Sequence, residues 1–373
     1  MRKRTSLLRA FFGICIALCP VAAAAQAPQP QSTDQPPVTL PAEAERRQVV
    51  PFLDGTYVFL TAPRDHIRFE ADIQPNFVIT QNFSDRLVTD ESLDGRPRWA
   101  YSVVGTPRVR LRMLDSRSAP VRTPSYMPKG TVTGLLFRGE RTNDNGAGAR
   151  VGLWAGQLTI GHHSNGQDGC LFTTDTPPTD TTDCTGPPDL TKINTTDGSF
   201  STNYARFGFR YRREWLKDVS TNEQKRAGIE DQVGTHEVTF GVDYDWHFHT
   251  DPRMQPFYGL HRVAGSVAYA DHLQKVCRSR ISLSETLFYV GEQPPDVPSL
   301  ATQTDLKCTF TDQGGWGIFV RYYYGQDYYN LGFTTVINRV MFGAHFEQDG
   351  FLRFVSRTAK TAEENAKKRR EAR

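Results

Sequence analysis

Apolar and polar side chains alternate along several stretches of the chain, most clearly over residues 236–248. The even-numbered positions there are mainly apolar or aromatic, and the odd-numbered positions include three acidic side chains and a glycine. A period of two sustained over this length predicts a β-strand. Ordinary strands have about 5 to 6 residues and membrane-spanning ones roughly 9 to 11, so the length favours a strand between lipid and a polar lumen. A half-buried sheet would also alternate.

Eight further runs alternate in a similar way and are separated by Gly, Pro, Asn and Asp. They are residues 67–79, 108–114, 131–137, 151–164, 203–211, 257–269, 316–324 and 336–346. Further strands can lie in 215–233 and 281–298, so the pattern alone does not give the strand number. The predicted fold class is all-β, a transmembrane antiparallel β-barrel.

The chain divides into four predicted segments. Residues 1–25 combine a basic start, an apolar stretch over 7–18 and three alanines at 23–25, which is typical of a secretory signal peptide. Residues 26–65 are expected to form a flexible periplasmic lead-in, because its first half is rich in Pro, Gln and Ala without periodicity. The barrel is assigned to 66–350, and a charged C-terminal tail to 351–373.

Composition excludes some classes of protein. The mean hydropathy is −0.50, and no stretch after the signal has 18 consecutive apolar residues. A helical membrane protein is therefore excluded, whereas a barrel is compatible, because only alternate side chains of its strands contact lipid. The net charge is +3, and much of the basic excess lies in the tail. This balance gives no support for a nucleic-acid partner.

Four cysteines follow the signal segment: Cys170, Cys184, Cys277 and Cys308. An even number outside the cytosol indicates two disulfides. The simplest pairing joins Cys170 to Cys184 and Cys277 to Cys308, each closing a polar loop, although three connectivities exist. The spacing matches no zinc template.

Three polar residues break the apolar faces of two predicted strands. His162 and Ser164 continue the apolar face of 151–164, and Asn203 begins the apolar face of 203–211. If these strands form an antiparallel hairpin, the three side chains lie at the same end on the lipid side. An unpaired polar group there costs about 1–3 kcal/mol, so they should hydrogen-bond to each other. His163 falls on the lumen face and is expected to be solvated.

The three residue types provide the groups of a hydrolytic triad. Imidazole can take the proton of the Ser164 hydroxyl, while the Asn203 carbonyl accepts from the other ring nitrogen and fixes the tautomer. The substrate would be an ester of a membrane lipid that reaches the site from the side. The alternative is that the segment is a polar strand end, with Asn165 and Gly166 serving only the turn.

The segment resembles the H-x-S-N-G motif of the outer membrane phospholipase A family, which are twelve-stranded barrel enzymes. His162, Ser164, Asn165 and Gly166 match this motif, and residues 199–203 match the segment that ends in the family's triad Asn. Residues 118–128 look like the family's S-x-P-x-R-x-x-x-Y-x-P segment, and 322–330 resemble its aromatic segment before the closing strand. The resemblance runs from about residue 66 to 350.

The resemblance implies a calcium-dependent phospholipase A1, with A2 and lysophospholipase activity in addition, acting on bilayer phospholipids as a homodimer. Ser164 would be the nucleophile, His162 the base and Asn203 the orienting residue, and the amide of Gly166 would belong to the oxyanion hole. The calcium ligands would be the carbonyl of Gln167, the hydroxyl of Ser199 and Ser118 from the second subunit. The location would be the outer membrane, with the site toward the outer leaflet.

One departure from the family concerns the connection between two triad residues. Ser164 and Asn203 are 203 − 164 = 39 residues apart, whereas the family joins them by about a dozen. The extra residues, which include Cys170 and Cys184, predict a disulfide-closed surface loop. Two other functions stay open: a lipid A deacylase, whose site also contains a His-x-Ser-Asn motif, and a porin-like barrel without catalysis.

Overall fold

The computed structural model describes residues 52–61, 67–82, 93, 95–114, 121–141, 148–174, 184, 188–226, 229–272, 277, 280–310, 315–349 and 353–357. The predicted signal segment lies outside these residues. The strands within them are β1 (Thr56–Thr61), β2 (Ile67–Ile73), β3 (Phe77–Gln81), β4 (Arg98–Thr106), β5 (Val109–Leu114), β6 (Val121–Tyr126), β7 (Lys129–Arg141), β8 (Gly148–Ser164), β9 (Phe172–Thr174), β10 (Pro188–Ile193), β11 (Ser201–Asp218), β12 (Ile229–Phe248), β13 (His261–Asp271), β14 (Arg280–Val290), β15 (Leu300–Thr309), β16 (Gly315–Gln326), β17 (Val336–Glu347) and β18 (Arg353–Arg357).

Helical structure within the described ranges consists of short segments. They are the helices Asn222–Arg226 and Gln255–Tyr258 and the 3₁₀ turn Gly332–Thr334. Among the described residues, no helix is both long and apolar enough to cross a bilayer.

The strands close into an antiparallel barrel of twelve, which confirms the predicted fold class. Three of the twelve are interrupted, so β2 with β3, β4 with β5, and β6 with β7 each form one barrel strand. β8 and the seven strands β11 to β17 complete the wall, β8 pairing with both β7 and β11. Pairing of β1 with β17 closes the circle.

The three interruptions each contain a proline: Pro75, Pro107 and Pro128. Proline lacks the N–H that a continuous ladder needs, so the strand breaks there. Side chains take over part of the bonding, since Gln74 Nε2 donates to the Gly55 carbonyl at 2.7 Å and Thr106 Oγ1 donates to Asn76 Oδ1 at 2.6 Å. All three breaks lie in neighbouring strands on one side of β8.

The outer surface of the barrel is apolar. Exposed large apolar side chains occur on almost every wall strand, as a lipid-facing band requires. Examples are Phe77, Ile79, Trp99, Val132, Leu158, Ile160, Phe207, Phe209, Phe240, Val242, Val263, Leu283, Leu287, Ile318 and Phe342. The alternating pattern in the sequence is therefore the division between lipid and lumen.

The lumen contains paired charges. Arg112 binds both Glu70, with Nε to Oε2 at 2.8 Å, and Asp327. Arg321 donates from Nε to Asp305 at 2.6 Å. Because buried charges are tolerated only when they are paired and hydrogen-bonded, these contacts account for the polar residues at inward positions.

An apolar cluster fills the barrel end at which β8 finishes. Its members come from the β8–β11 connection, from the Gln255–Tyr258 helix region and from the segment before β17, and they are Leu171, Phe172, Phe200, Met254, Tyr258, Leu331 and Phe333. This cluster gives the loops around the end of β8 a packed base.

Two predicted domain boundaries are wrong. The barrel begins with β1 at Thr56, inside the predicted 26–65 lead-in, because six residues are too few for the alternating pattern to stand out. β18 lies inside the predicted 351–373 tail and pairs with the start of β12. The rest of that tail lies outside the described residues.

Three predicted strand positions also change. Residues 257 and 258 belong to a helix, and the strand begins at His261. The region 215–233 holds the ends of β11 and β12, not a separate strand. Of the twelve barrel strands, the predicted runs lack β1, β14 and β15, of which β14 lies mostly in the region 281–298 that the pattern left open, and they also lack the segments β4 and β6 of two interrupted strands.

Both predicted disulfides are present. Cys170 is bonded to Cys184, and Cys277 to Cys308. The first lies within the β8–β11 connection. The second does not close a single loop as expected, because Cys308 is part of β15 and is bonded across to the connection between β13 and β14.

Replacing Val242 by Arg tests the lipid-facing wall. Val242 lies in the middle of the apolar face of β12 and is 55% exposed. An arginine at the bilayer midplane costs about 2–4 kcal/mol, so the free energy of unfolding from vesicles should fall by about that amount in a urea titration. Val219→Arg is the matched control, because Val219 follows the end of β11 and is 43% exposed. Equal losses in the two variants would contradict the assignment.

Candidate active site

Strand pairing places the three predicted triad residues at one end of the β8–β11 pair. Asn203 is the Cα partner of His162, and Ser201 is the partner of Ser164. In β8, Leu158 and Ile160 are 41% and 53% exposed, and the intervening Thr159 is buried. Since side chains alternate along a strand, His162 and Ser164 lie on the same outer face as Leu158 and Ile160.

A hydrogen bond joins two of these residues across the strands. His162 Nδ1 and Asn203 Oδ1 are 2.8 Å apart. An amide oxygen only accepts, so Nδ1 carries the proton and Nε2 of the neutral ring is left as an acceptor. Ser164 lies two residues further along β8, about 7 Å between Cα atoms, and projects from the same face. The arrangement prepares the imidazole to accept a proton from a hydroxyl on this face.

The side-chain nitrogen of Asn203, which His162 does not use, contacts a residue that the sequence did not indicate. Asn203 Nδ2 donates to Nδ1 of His249 at 3.2 Å. His249 has a φ of 56°, a left-handed conformation that costs a non-glycine residue roughly 1–2 kcal/mol. Strand alternation assigns position 249 to the lumen, so the sequence pattern could not have predicted His249 as part of the outer site. Only the backbone conformation at this residue indicates its position.

The predicted oxyanion residue, Gly166, lies in the turn after Ser164. Its φ is +67°, in the left-handed region that favours glycine. A Cβ at this position would lie 3.2 Å from the ring of Tyr126, which is the Cα partner of Ser164 on the other side of β8. The turn therefore depends on glycine both for its backbone angle and for the close approach of Tyr126.

Asn165 holds this turn in place from the inside. Its buried Nδ2 donates to the carbonyl of Gly198 at 2.7 Å and to Asn330 Oδ1 at 2.8 Å. Its Oδ1 accepts from the amide of Phe200 at 3.1 Å. One side chain thus joins the turn after Ser164 to the segment before Asn203 and to the segment before β17. The alternative interpretation, in which Asn165 serves only the turn, does not account for its contacts with these two other segments.

The predicted calcium ligands Gln167 and Ser199 lie in segments that face each other. The amide of Asn165 donates to the Phe200 carbonyl at 3.3 Å, and Gly169 forms a β-bridge with Gly198. Gln167 and Ser199 each lie between these two contacts. Their carbonyl and hydroxyl oxygens are the ligand type that Ca²⁺ prefers, so the residues fit the ion chemically. Ser118 lies outside the described residues.

His163 belongs to the lumen and not to the outer site. It hydrogen-bonds to the Tyr258 hydroxyl at 3.0 Å, and its ring packs edge-on against Phe200 with centroids 4.6 Å apart. Burial raises the pKa of Tyr258 to about 12, so this hydroxyl is protonated at neutral pH. The expectation that His163 is solvated is wrong, because the apolar cluster at this barrel end covers it.

Comparison with known proteins finds similarity only among solved structures. No protein-family model matches the chain, and no curated protein sequence matches it. Outer membrane phospholipase A from Escherichia coli is 13% identical, with a TM-score of 0.41 over 82% of this chain and 96% of that one. The calcium-bound dimer of outer membrane phospholipase from Salmonella typhi is 12% identical with the same TM-score and coverage. The translocator domain of the autotransporter NalP from Neisseria meningitidis is 11% identical, with a TM-score of 0.22 over 82% and 91%.

Asn165→Ala tests the clamp beneath the turn. The variant leaves the Phe200 amide without its acceptor, and a lost buried partner costs about 1–3 kcal/mol. Hydrogen exchange of the Phe200 amide should therefore accelerate by roughly tenfold or more. Asn82→Ala is the control, because Asn82 also accepts a backbone amide, that of Tyr101, at the opposite barrel end. Unchanged protection of Phe200 in Asn165→Ala would contradict the clamp.

Proposed function

We propose that this protein is an outer-membrane phospholipase that hydrolyses acyl ester bonds of phospholipids on the outer wall of its barrel. Ser164 acts as the nucleophile, His162 as the general base and Asn203 as the orienting residue. The observation that carries the proposal is the 2.8 Å hydrogen bond between His162 and Asn203 on a surface otherwise occupied by apolar side chains. Polar side chains on such a surface are costly, which favours a functional reason for them.

Acyl transfer follows from the orientation of His162. Asn203 holds the proton on Nδ1, so Nε2 accepts the proton of the Ser164 hydroxyl while Oγ forms a bond to the ester carbonyl carbon. His162 then returns this proton to the departing alcohol of the lipid as the ester C–O bond breaks. Water, deprotonated by the same nitrogen, then attacks the acyl carbon. The bond between this carbon and Oγ breaks, His162 returns the proton to Oγ, and the fatty acid leaves.

Negative charge develops on the carbonyl oxygen during both steps. The Gly166 amide lies two residues after the nucleophile, in a turn whose backbone angle is fixed, and we assign it to the oxyanion hole. A calcium ion held by Gln167, Ser199 and Ser118 of the partner subunit would supply additional positive charge for this oxygen. The clamp formed by Asn165 keeps the segments of Gln167 and Ser199 together.

The surface next to the triad suits an acyl chain. Leu158, Ile160, Phe207 and Phe209 are exposed on the same two strands, below the polar residues. A phospholipid of the surrounding leaflet can therefore lay its chains along this wall while its ester groups lie level with Ser164. We further propose that the active form is a homodimer whose second copy covers this wall, with the site toward the outer leaflet.

Substitution of the triad residues tests the proposed chemistry. The purified protein is reconstituted with phosphatidylcholine, and fatty-acid release is measured. Ser164→Ala and His162→Ala should each lower kcat by on the order of 10³-fold or more, and Asn203→Ala by about 10- to 100-fold, because orientation contributes less than the nucleophile or the base.

Two controls accompany this assay. Ser266→Ala removes a serine from the middle of β13 and should leave the rate unchanged. Lipid A as the substrate identifies the alternative enzyme, because release from lipid A alone would indicate a deacylase. Absence of release from both lipids would favour a porin-like barrel without catalysis.

Chelation tests the metal separately. Fatty-acid release should fall to background when calcium is removed by EGTA and should return when calcium is restored in excess, since oxygen ligands of this kind select a hard cation. Magnesium at the same concentration is the control, because it requires tighter octahedral geometry. Full activity in EGTA would contradict the calcium proposal and leave the triad proposal standing.

A further inference from the structure

His249 touches the triad from the side opposite to His162, and we propose that it is a positioning residue that selects the orientation of the Asn203 amide. The inference rests on the proposed hydrolase function and extends it by one residue. In this account the chain of contacts runs from Ser164 through His162 and Asn203 to His249, across three neighbouring strands or strand ends.

The backbone at the end of β12 directs His249 toward the outer surface. Phe248, the last residue of β12, is the Cα partner of Asn203. Continued strand alternation would turn the next side chain into the lumen. At φ 56° the chain instead leaves the strand, and the His249 side chain is exposed and lies against the Phe248 ring, with centroids 5.4 Å apart. The unusual backbone angle and the contact with Asn203 occur at the same residue.

The Asn203 amide needs a second partner in order to point one way. Rotation of the amide by half a turn exchanges its oxygen and nitrogen with little change in shape. In the rotated state the NH₂ group would face His162 Nδ1, and the imidazole would have to carry its proton on Nε2 to accept that bond. Such a ring cannot take the proton of Ser164. The orientation of the Asn203 amide therefore decides whether His162 can act as the general base.

His249 favours one of the two orientations of the Asn203 amide because its Nδ1 acts as a hydrogen-bond acceptor. As an acceptor, His249 Nδ1 binds the Asn203 NH₂ group and repels the carbonyl oxygen. The orientation that satisfies His249 is the one that presents Oδ1 to His162. Asn203 thereby transmits a preference from His249 to the tautomer of His162, and His249 itself touches neither the serine nor the lipid ester.

Two substitutions at this position separate the hydrogen bond from the backbone. Glycine accepts the left-handed angle better than histidine and has no acceptor, and asparagine tolerates the angle while placing its Oδ1 where the imidazole has Nδ1. His249→Gly should lower kcat about 3- to 10-fold with little change in KM, and His249→Asn should recover most of that loss. A residue needed only for the turn would give the opposite result, with glycine as active as the unsubstituted protein.

A double variant tests whether the effect passes through Asn203. In the Asn203→Ala background, His249→Gly should cause no further loss of kcat, because the amide that it orients is absent. Independent, multiplicative losses would overturn the proposal. His261→Ala is the matched control, since His261 is also an exposed wall histidine and hydrogen-bonds through Nδ1 to Tyr244 at 2.8 Å. It should leave kcat unchanged.

A measurement without substrate separates this proposal from the hydrolase function. Nitrogen NMR of labelled histidine in lipid nanodiscs reports which ring nitrogen of His162 carries the proton. We expect the Nδ1–H form to dominate in the intact chain and to decrease in His249→Gly but not in His249→Asn. An unchanged tautomer in His249→Gly would overturn the positioning role even if the protein hydrolyses lipid. The expected shift in a protein that releases no fatty acid would instead refute the hydrolase proposal alone.

Discussion

The antiparallel register of β8 against β11 is the constraint on which the candidate site depends. It makes Asn203 the cross-strand partner of His162, and strand alternation then sends both side chains to the same face. A shift of one residue would turn the whole apolar face of β11 toward the lumen and carry Asn203 with it. The requirement that Phe207 and Phe209 face lipid therefore also keeps Asn203 on the face of His162, and the register between the two strands then sets the hydrogen bond between the imidazole and the amide.

The rest of the molecule holds this register rigid. Paired charges such as Arg112 with Glu70 link neighbouring strands on the lumen side, and the apolar cluster around Tyr258 and Phe333 fills the barrel end beneath the site. Asn165 then joins the turn after the serine to the segments that return to β11 and to β17. Within one chain, a site on the lipid-facing wall has no protein above it, so the chain fixes the geometry of this site from its lumen side.

Much of the fold follows from the sequence, because alternation directly encodes which face meets lipid. The barrel class and the shared face of His162 and Asn203 could be read in this way, and the simplest pairing of the four cysteines gave both disulfides. The strands that the pattern missed include β1, which is only six residues long. The roles of His249 and of the contact between Asn165 and Asn330 could not be predicted, since one depends on a left-handed backbone angle and the other joins residues far apart in the chain.

The central claim is that an activated serine lies on the outer wall of the barrel, within reach of lipid. Covalent labelling in vesicles tests it most directly, with a long-chain alkylsulfonyl fluoride that partitions into the bilayer and a short water-soluble analogue for comparison. Mass spectrometry should find the adduct on Ser164, formed faster by the long-chain reagent and lost when His162 is replaced by alanine. Equal labelling without His162, or an adduct on other serines while Ser164 stays unmodified, would contradict the account.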